Sequence, residues 1–340
     1  MFKHIVAAAL SLALGLSTLT GCAVRAKATD IDLMAGIKPA AVNTDVDLGS
    51  SEAIADFAVS LFQNSASADK NSLVSPVSVL CALGMTANGA KEETLRQMEE
   101  VFGLSVPELN EYLHAYMESL PGEGKNKLAL ANSIWIRDGD RLSVEQDFLQ
   151  TNADYYGAPV YKSAFDDAAL KNINNWVKEN TDGMIDSILE SIPDDAVMYL
   201  INALSFDAEW QDIYNENDVR DGVFTAISGA ERSVKMMYSE ENRYLDDGSA
   251  AGFIKYYAGG EYAFAALLPN EGMSLSDYIS SLTGEKLMNT IGNAQSVQVN
   301  AGMPKFESEY SAEMSDILKS MGMADAFDPY KADFSGIGSS

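Results

Sequence analysis

The chain has 340 residues, of which 47% are apolar and 9% aromatic, which is typical of a globular protein of one large domain or two ordinary ones. Its 50 acidic and 23 basic residues give a net charge of −27, and such a surface repels nucleic acid and anionic membrane faces. The acidic coat could attract basic partners, but a solvated surface is the favoured interpretation. We therefore expect no nucleic-acid partner.

Residues 1–21 have the pattern of a signal peptide. A polar start at Lys3 precedes an apolar run at 5–16 that is too short to span a bilayer as an ordinary helix. The sequence Leu-Thr-Gly-Cys at 19–22 then resembles the bacterial lipoprotein cleavage signal. The small residues before Cys22 would admit the peptidase, and Cys22 would be acylated. A plain secretory signal with an incidental cysteine is the alternative.

Two or more acyl chains on Cys22 would hold the protein stably on a membrane, so we expect a secreted protein that is lipid-anchored at the bacterial cell surface. Residues 22–49 contain no aromatic side chain and are rich in Ala, Thr, Val and Asp, which is typical of a flexible tether. The other cysteine, Cys81, is expected to be a small apolar side chain in the core. With Cys22 acylated, no disulfide would form.

The folded domain is predicted to begin with helices. A serine pair at 50–51 caps the first helix, whose apolar residues follow at helical spacing. Ser75 caps a second helix, with Pro76 at its first position, and Gly89 ends it. Thr-Leu-Arg-Gln at 94–97 has the form of a capping box and predicts the start of a third helix.

Farther along the chain, helices and strands mix without the regular alternation of a parallel α/β protein, and the predicted fold class is α+β. Helices are predicted at 107–120, 145–155, 168–180 and 314–321, and strands at 128–136, 197–201, 262–268 and 297–303. The strands at 197–201 and 262–268 are largely apolar, which predicts burial. The strand at 297–303 alternates, as a strand with one buried face does.

Five blocks of sequence carry a family resemblance. They contain Asn-Ser-Leu-Val-Ser-Pro-Val-Ser at 71–78, Leu-Ala-Asn-Ser-Ile-Trp at 130–135, Ile-Asn-Asn-Trp-Val at 173–177, Leu-Ile-Asn-Ala-Leu-Ser-Phe at 200–206, and Met-Pro-Lys-Phe at 303–306 with Ala-Asp-Phe-Ser-Gly-Ile at 332–337. In this order they resemble the serpins, protease inhibitors that work by refolding. Any one block alone is weak, but five in order make an accidental similarity improbable.

The resemblance implies helices packed around three mostly antiparallel or mixed β-sheets, one of them a large central sheet. It implies a suicide-substrate inhibitor of serine endopeptidases, or of papain-like cysteine endopeptidases. In this mechanism the protease cleaves an exposed reactive loop and becomes acyl-linked to it. The loop then inserts as a new strand into the central sheet. The protease is dragged along and its oxyanion hole is distorted, so that deacylation becomes very slow.

The resemblance also assigns roles to four residues. Ser75, Ser78 and Asn202 match positions of a hydrogen-bonded cluster beneath the central sheet that must open for insertion. On the residues alone, Ser75 is a helix cap, Ser78 a helix residue and Asn202 a satisfied strand-end amide. Trp210 matches a tryptophan near the point where insertion begins, and its alternative is an ordinary core residue.

Two features depart from the family pattern. Lys-Tyr-Tyr at 255–257 replaces the usual apolar residue, proline and tyrosine, so we expect this turn to differ. The sequence also contains no segment that matches the reactive loop or the final strands. We therefore expect residues 50–340 to form a serpin domain without its C-terminal part, with the reactive-site residue outside this chain and sheet edges left unpaired.

Enzyme chemistry finds little support. After removal of the signal peptide the one histidine is His114, and no nucleophile elbow, phosphate loop or dinucleotide-binding motif occurs. Paired zinc ligands are impossible with these His and Cys counts, and Asp-Asp-Gly at 246–248 has the form of a turn rather than a calcium loop. We expect no cofactor and no metal. The alternative to an inhibitor is a non-inhibitory surface lipoprotein that serves as a binding or adhesion scaffold.

Overall fold

The computed structural model describes residues 10–12, 30–42, 51–67, 70–120, 126–139, 143–194, 196–308, 310 and 312–339. The chain divides into two compact units. Met1–Leu120, Leu128–Phe206 and Glu309–Ser340 form the first unit, and Pro121–Lys127 and Asp207–Ser308 form the second. Among the described residues, no helix is both long and apolar enough to cross a membrane.

The helices within the described residues confirm most of the sequence prediction. They are α1 (Ser51–Ser65), α2 (Pro76–Ala87), α3 (Glu92–Phe102), α4 (Val106–Ser119), α5 (Gln146–Tyr156), α6 (Asp167–Asn180), α7 (Leu275–Ser280), α8 (Gly284–Gly292) and α9 (Ser315–Met321). Helices α7 and α8 belong to the second unit and were not predicted.

Helix α2 is the central helix of the first unit and is buried over almost its whole length, from Ser78 to Ala87. Ser75 caps it, as predicted, with Pro76 in the first turn. The cysteine in this helix, Cys81, is fully buried, as expected for a core residue. Burial raises the pKa of its thiol to about 12, because an apolar environment disfavours the thiolate.

The predicted boundaries of α2 and α3 need correction. Helix α2 ends at Ala87 rather than at Gly89, and Gly89 is instead a point of close approach. A side chain at this position would collide with Ile337, and the Gly336 N–H donates to the Gly89 carbonyl at 3.0 Å. Helix α3 begins before Thr94, whose hydroxyl oxygen accepts the backbone N–H of Asp333 at 2.9 Å. Gly89 and Thr94, which the sequence analysis assigned to helix ends, therefore make tertiary contacts instead.

The strands form one large sheet and three smaller ones. They are β1 (Leu10–Leu12), β2 (Ile31–Asp32), β3 (Asn126–Arg137), β4 (Ser143–Val144), β5 (Val160–Ser163), β6 (Met198–Ala208), β7 (Val219–Thr225), β8 (Glu231–Glu241), β9 (Tyr244–Asp246), β10 (Ala250–Tyr256), β11 (Ala263–Pro269), β12 (Val299–Pro304) and β13 (Gly338–Ser339). Sheet orders are β1-β6-β3-β5-β2, β11-β10-β9, β12-β8-β7 and β13-β4.

The five-stranded sheet is mixed, because β3 and β5 are parallel while β1 pairs antiparallel with β6 and β2 with β5. The sheets β11-β10-β9 and β12-β8-β7 are antiparallel. This is an α+β fold, as the sequence predicted, with the large mixed central sheet that the resemblance implied. Strand β1 lies within the predicted signal peptide, and the other residues of that segment, together with Cys22, lie outside the described residues.

Strand β6 is covered on both faces, as its apolar sequence predicted. Leu200 belongs to the core cluster that contains α2. Tyr199, Ile201 and Ala203 belong to a separate cluster with residues of α6. Because side chains alternate along a strand, Asn202 lies on the same face as Leu200. The hydrogen-bonding side chain of Asn202 is therefore placed on the α2 side of the sheet.

The strand predicted at 262–268 is not buried as expected. In the structure it is β11, and its residues are half-buried or exposed, with Leu268 75% exposed. The hairpin formed by β7 and β8 was not predicted at all. Its strands carry charged and exposed residues, including an ion pair between Lys235 and Asp221 at 2.7 Å, so they lack the apolar pattern by which the buried strands were recognised.

Part of the predicted tether packs against the first unit. Strand β2 extends the central sheet beyond β5, and the N–H of Leu33 donates to the carbonyl of Val160 at 2.9 Å. Met34 is only 6% exposed and belongs to a core cluster with Ile134 and Phe148. The prediction of a flexible tether is therefore wrong for residues 30–42, and it stays a prediction for the rest of 22–49.

The packing of this segment gives a stability prediction. Met34→Ala removes a buried side chain, and we expect the free energy of unfolding to fall by about 2–3 kcal/mol. Ile31→Ala is the control, because Ile31 is 53% exposed in the same segment, and we expect less than about 1 kcal/mol for it. Urea unfolding followed by circular dichroism measures both. Equal, small effects would mean that the segment is not packed in solution.

Candidate functional site

Ser75 and Ser78 lie together at the start of α2. The Ser75 hydroxyl donates to the Ser78 Oγ at 2.9 Å, and the Ser78 N–H donates to the Ser75 Oγ at 3.4 Å. Ser78 is buried, whereas Ser75 is half-buried. The local interpretation of Ser75 as a helix cap is confirmed. Their conformational role under the sheet stays a prediction.

Asn202 is fully buried in β6 and contacts the neighbouring strand. Its Nδ2 donates to Oδ1 of Asn132, in β3, at 2.7 Å. Its own Oδ1 is buried and has no hydrogen-bond partner among the described residues. A buried amide oxygen without a donor loses the hydration that it would have in the unfolded chain, at a cost of about 1–3 kcal/mol. Among the described residues the Asn202 amide is therefore partnered at its nitrogen only, and its interpretation as a fully satisfied amide stays a prediction.

The two pairs are separate in this structure. Within the described residues, no hydrogen bond joins Ser75 or Ser78 to Asn132 or Asn202. Both pairs are nevertheless linked to one core cluster, because Leu200, on the same face of β6 as Asn202, packs in the cluster that contains α2. The resemblance implied one hydrogen-bonded cluster, and the described residues form two local ones on the same side of the sheet.

A chain of buried amides extends the Asn202 contact, and sequence reasoning missed it. Asn132 Nδ2 donates to the backbone carbonyl of Tyr156 at 3.4 Å. The Tyr156 hydroxyl donates to Asn110 Oδ1 at 2.6 Å, and Asn110 Nδ2 donates to Asn88 Oδ1 at 2.8 Å. Burial holds the pKa of Tyr156 well above its ordinary value, so the hydroxyl remains a donor.

This amide chain ties three helices to the central sheet. Asn88 follows α2, Asn110 lies in α4, and Tyr156 ends α5. Asparagine and tyrosine at such spacings have no recognisable sequence signature, because their contacts are 22 or more residues apart. Only the tertiary fold brings them together.

Trp210 lies in the second unit, two residues after β6 ends. Its indole stacks on the ring of Tyr257, with 4.3 Å between centroids and 10° between planes. The ring of Phe264 meets it edge-on at 5.9 Å, an arrangement that aromatic quadrupoles favour. Trp210 and Tyr257 also form an isolated backbone bridge. Trp210 is thus held by aromatic contacts, and its role in insertion stays a prediction.

Lys255 lies close to Trp210 and is buried. Its Nζ lies 2.7 Å from Oε1 of Glu241 and 5.6 Å from the centroid of the Trp210 ring. Lys255 and Tyr256 lie in β10, before the turn that follows this strand. The departure from the family pattern at 255–257 therefore places a charged residue in the core, which the sequence did not predict.

The remaining candidate groups show no catalytic arrangement. His114 Nδ1 lies 3.2 Å from the backbone carbonyl oxygen of Tyr155, so this ring nitrogen has a backbone partner. Asp247 Oδ1 accepts the N–H groups of Ser249 and Ala250, as expected for a turn. Among the described residues, no three His, Cys, Asp or Glu side chains are grouped as metal ligands.

Comparison with known proteins agrees with this architecture. The family model described as "Serpin (serine protease inhibitor)" matches residues 52–340. A crystal structure of a thermophilic serpin, tengpin, in the native state is 46% identical, with a TM-score of 0.88, and the match covers 92% of this chain and 81% of that one. The structure of tengpin in the latent state is 48% identical, with a TM-score of 0.82 and coverage of 88% and 82%.

Curated relatives agree. Leukocyte elastase inhibitor A of Mus musculus is 30% identical over 306 residues, which cover 84% of this chain and 79% of that protein. Serpin B9 of Homo sapiens is 32% identical over 283 residues, with coverage of 78% and 74%. The chain therefore belongs to the serpin family, whose members are mostly protease inhibitors and include some that do not inhibit.

The separation of the two polar pairs gives a prediction for double-mutant cycles. Asn132→Ala and Asn202→Ala remove the same hydrogen bond, so we expect a coupling of about 1 kcal/mol in the free energy of unfolding. Ser78→Ala and Asn202→Ala share no partner, and we expect their effects to add within about 0.5 kcal/mol. Urea unfolding of the single and double variants measures both cycles. Coupling between Ser78 and Asn202 would instead indicate a single cluster.

Proposed function

We propose that the full-length protein is a serpin-type suicide-substrate inhibitor of serine endopeptidases. The protease would attack a reactive loop and become acyl-linked, and the cleaved loop would insert into the central sheet. Inserting a strand moves the bound protease and distorts the donors that stabilise its oxyanion, so the acyl-enzyme persists. A papain-like cysteine endopeptidase forms a comparable acyl intermediate and is the second class of target.

The observation that carries this proposal is the pairing of β6 with β1. Leu200, Ile201 and Asn202 of β6 pair with this short strand, which runs antiparallel to β6. This side of β6 therefore accepts an antiparallel strand, the addition that loop insertion requires. Asn202 is one of the three paired residues, and its Oδ1 has no hydrogen-bond partner among the described residues, so a strand that supplies a donor to this oxygen would gain a hydrogen bond.

Two further findings support the proposal. The related mouse protein is named as an elastase inhibitor, and tengpin is described in a native and a latent state. A family that includes one protein in two states has a fold with two arrangements, and a refolding inhibitor depends on such bistability.

We further propose that the protein acts at the bacterial cell surface, with its lipid anchor on Cys22. Support comes from the sequence at 19–22 and from the apolar run before it. An anchored inhibitor would meet proteases that reach the cell from outside. The net charge of −27 keeps such a domain away from anionic lipid surfaces, so attachment would rest on the acyl chains.

The inhibitor proposal predicts a covalent complex. The full-length protein, incubated with a panel of trypsin-, chymotrypsin- and elastase-like serine proteases and with papain, should give an SDS-stable band at the summed mass with at least one of them. The same protease with its nucleophile replaced by alanine is the control and should give no band, because the complex needs an acyl bond. Cleavage without any complex across the panel would overturn inhibition and favour the scaffold alternative.

The anchor proposal predicts acylation at one residue. In a bacterial host, the wild-type protein should incorporate a labelled fatty acid and sediment with membranes, because acyl chains on Cys22 partition into lipid. Cys22→Ser should abolish both properties, whereas Cys81→Ser is the control and should leave them unchanged, since Cys81 is buried. Label retained in Cys22→Ser would contradict the anchor.

A further inference from the structure

The second unit contains a buried ion pair that the sequence analysis did not predict. The Nζ of Lys255, in β10, lies 2.7 Å from Oε1 of Glu241, at the end of β8. The two side chains are only 2% and 9% exposed. The hydroxyl of Ser239 donates to the same Glu241 oxygen at 2.7 Å. The pair therefore joins two different sheets, β12-β8-β7 and β11-β10-β9.

A buried ion pair is a poor way to gain stability. Removing both charges from water is expensive, and replacing such a pair by apolar residues of similar size is often neutral or stabilising. A core that needed only packing would be served by an apolar side chain at position 255, so the charge has to be explained by what it contacts.

Besides Glu241, Lys255 lies close to two aromatic rings. Its Nζ lies 5.6 Å from the ring centroid of Trp210 and 4.8 Å from that of Tyr214. The Trp210 ring is stacked on the ring of Tyr257, and Tyr257 lies two residues after Lys255 in the chain. The Tyr214 hydroxyl lies 3.4 Å from the Ser239 Oγ. Glu241, Ser239 and Tyr214 thus fix the ammonium, and the ammonium faces the indole.

We propose that Lys255 is a positioning residue for Trp210, with Glu241 as its counter-ion. A desolvated cation near an indole is attracted to its electron-rich ring, and Glu241 prevents the ammonium from withdrawing to water. Trp210 is thereby held against Tyr257 just after β6 ends. The inference rests on the proposed function in one respect: if strand insertion begins near Trp210, releasing the indole from Lys255 is part of the barrier to insertion.

Fluorine NMR of the full-length protein labelled with 5-fluorotryptophan tests the positioning directly. The chain has three tryptophans, and Trp210→Phe assigns the relevant resonance. The test variant is Lys255→Met with Glu241→Gln, which removes both charges and leaves no buried charge unpaired. We expect the Trp210 resonance to shift and its solvent-isotope effect to grow, with the other two resonances unchanged.

The matched control is Lys235→Met with Asp221→Asn. This pair has the same 2.7 Å separation and also includes a residue of β8, but its side chains are 58% and 76% exposed. We expect no change of the Trp210 resonance in this control. An unchanged Trp210 resonance in a folded Lys255→Met/Glu241→Gln protein would overturn the proposal, because a purely structural pair can be removed without moving the indole.

The link to insertion has a separate readout. Losing a desolvated cation–π contact corresponds to a change of about tenfold in an equilibrium or rate. We therefore expect the half-life of inhibitory activity at 37 °C to fall about tenfold in the double variant and not in the control. A displaced Trp210 with an unchanged half-life would overturn the link to insertion. If the wild-type protein inhibits no protease, the proposed function fails, while the fluorine measurement still decides the positioning role.

Discussion

The first unit depends on the burial of α2 beneath the central sheet. This helix has almost no exposed side, so its polar groups need partners inside the protein. Ser78 pairs with Ser75, and the Thr86 hydroxyl donates to the Ala82 carbonyl at 2.9 Å. Leu200 of β6 then packs in the same cluster as the apolar residues of α2. Once α2 is fixed, the face of the sheet that carries Asn132 and Asn202 is fixed as well.

Not every side-chain polar atom of the asparagines on that face has a hydrogen-bond partner among the described residues. Asn132 and Asn202 share a hydrogen bond across neighbouring strands, and Tyr156, Asn110 and Asn88 continue the polar path into the helices. Among the described residues, the Asn202 Oδ1 is the atom of this path that has no hydrogen-bond partner. A strand that offers a donor to this oxygen would gain a hydrogen bond, which agrees with the function that we propose.

The second unit holds its aromatic residues in a different manner. Trp210 and Tyr257 are fixed by stacking, and a buried cation completes the arrangement instead of an apolar side chain. In the first unit most buried polar atoms belong to neutral amides and hydroxyls, which exchange hydrogen bonds at little electrostatic cost. Separating the ion pair of Lys255 and Glu241 costs more free energy, because each charge left alone in the core is strongly destabilising.

The sequence by itself determined the family, the α+β class and most of the helices, because these follow from local signals: the Ser75–Pro76 cap, helical spacing of apolar residues and ordered motif blocks. It also placed Cys81 in the core. It could not decide the packing of Met34, the exposure of β11 or the Lys255–Glu241 pair. These three features depend on which surfaces meet between residues that are far apart in the chain. The sequence shows that residue 255 is a lysine, but not whether its ammonium faces water or an indole. Only the tertiary structure settles that environment, since burial and the choice of partner are properties of the packed chain.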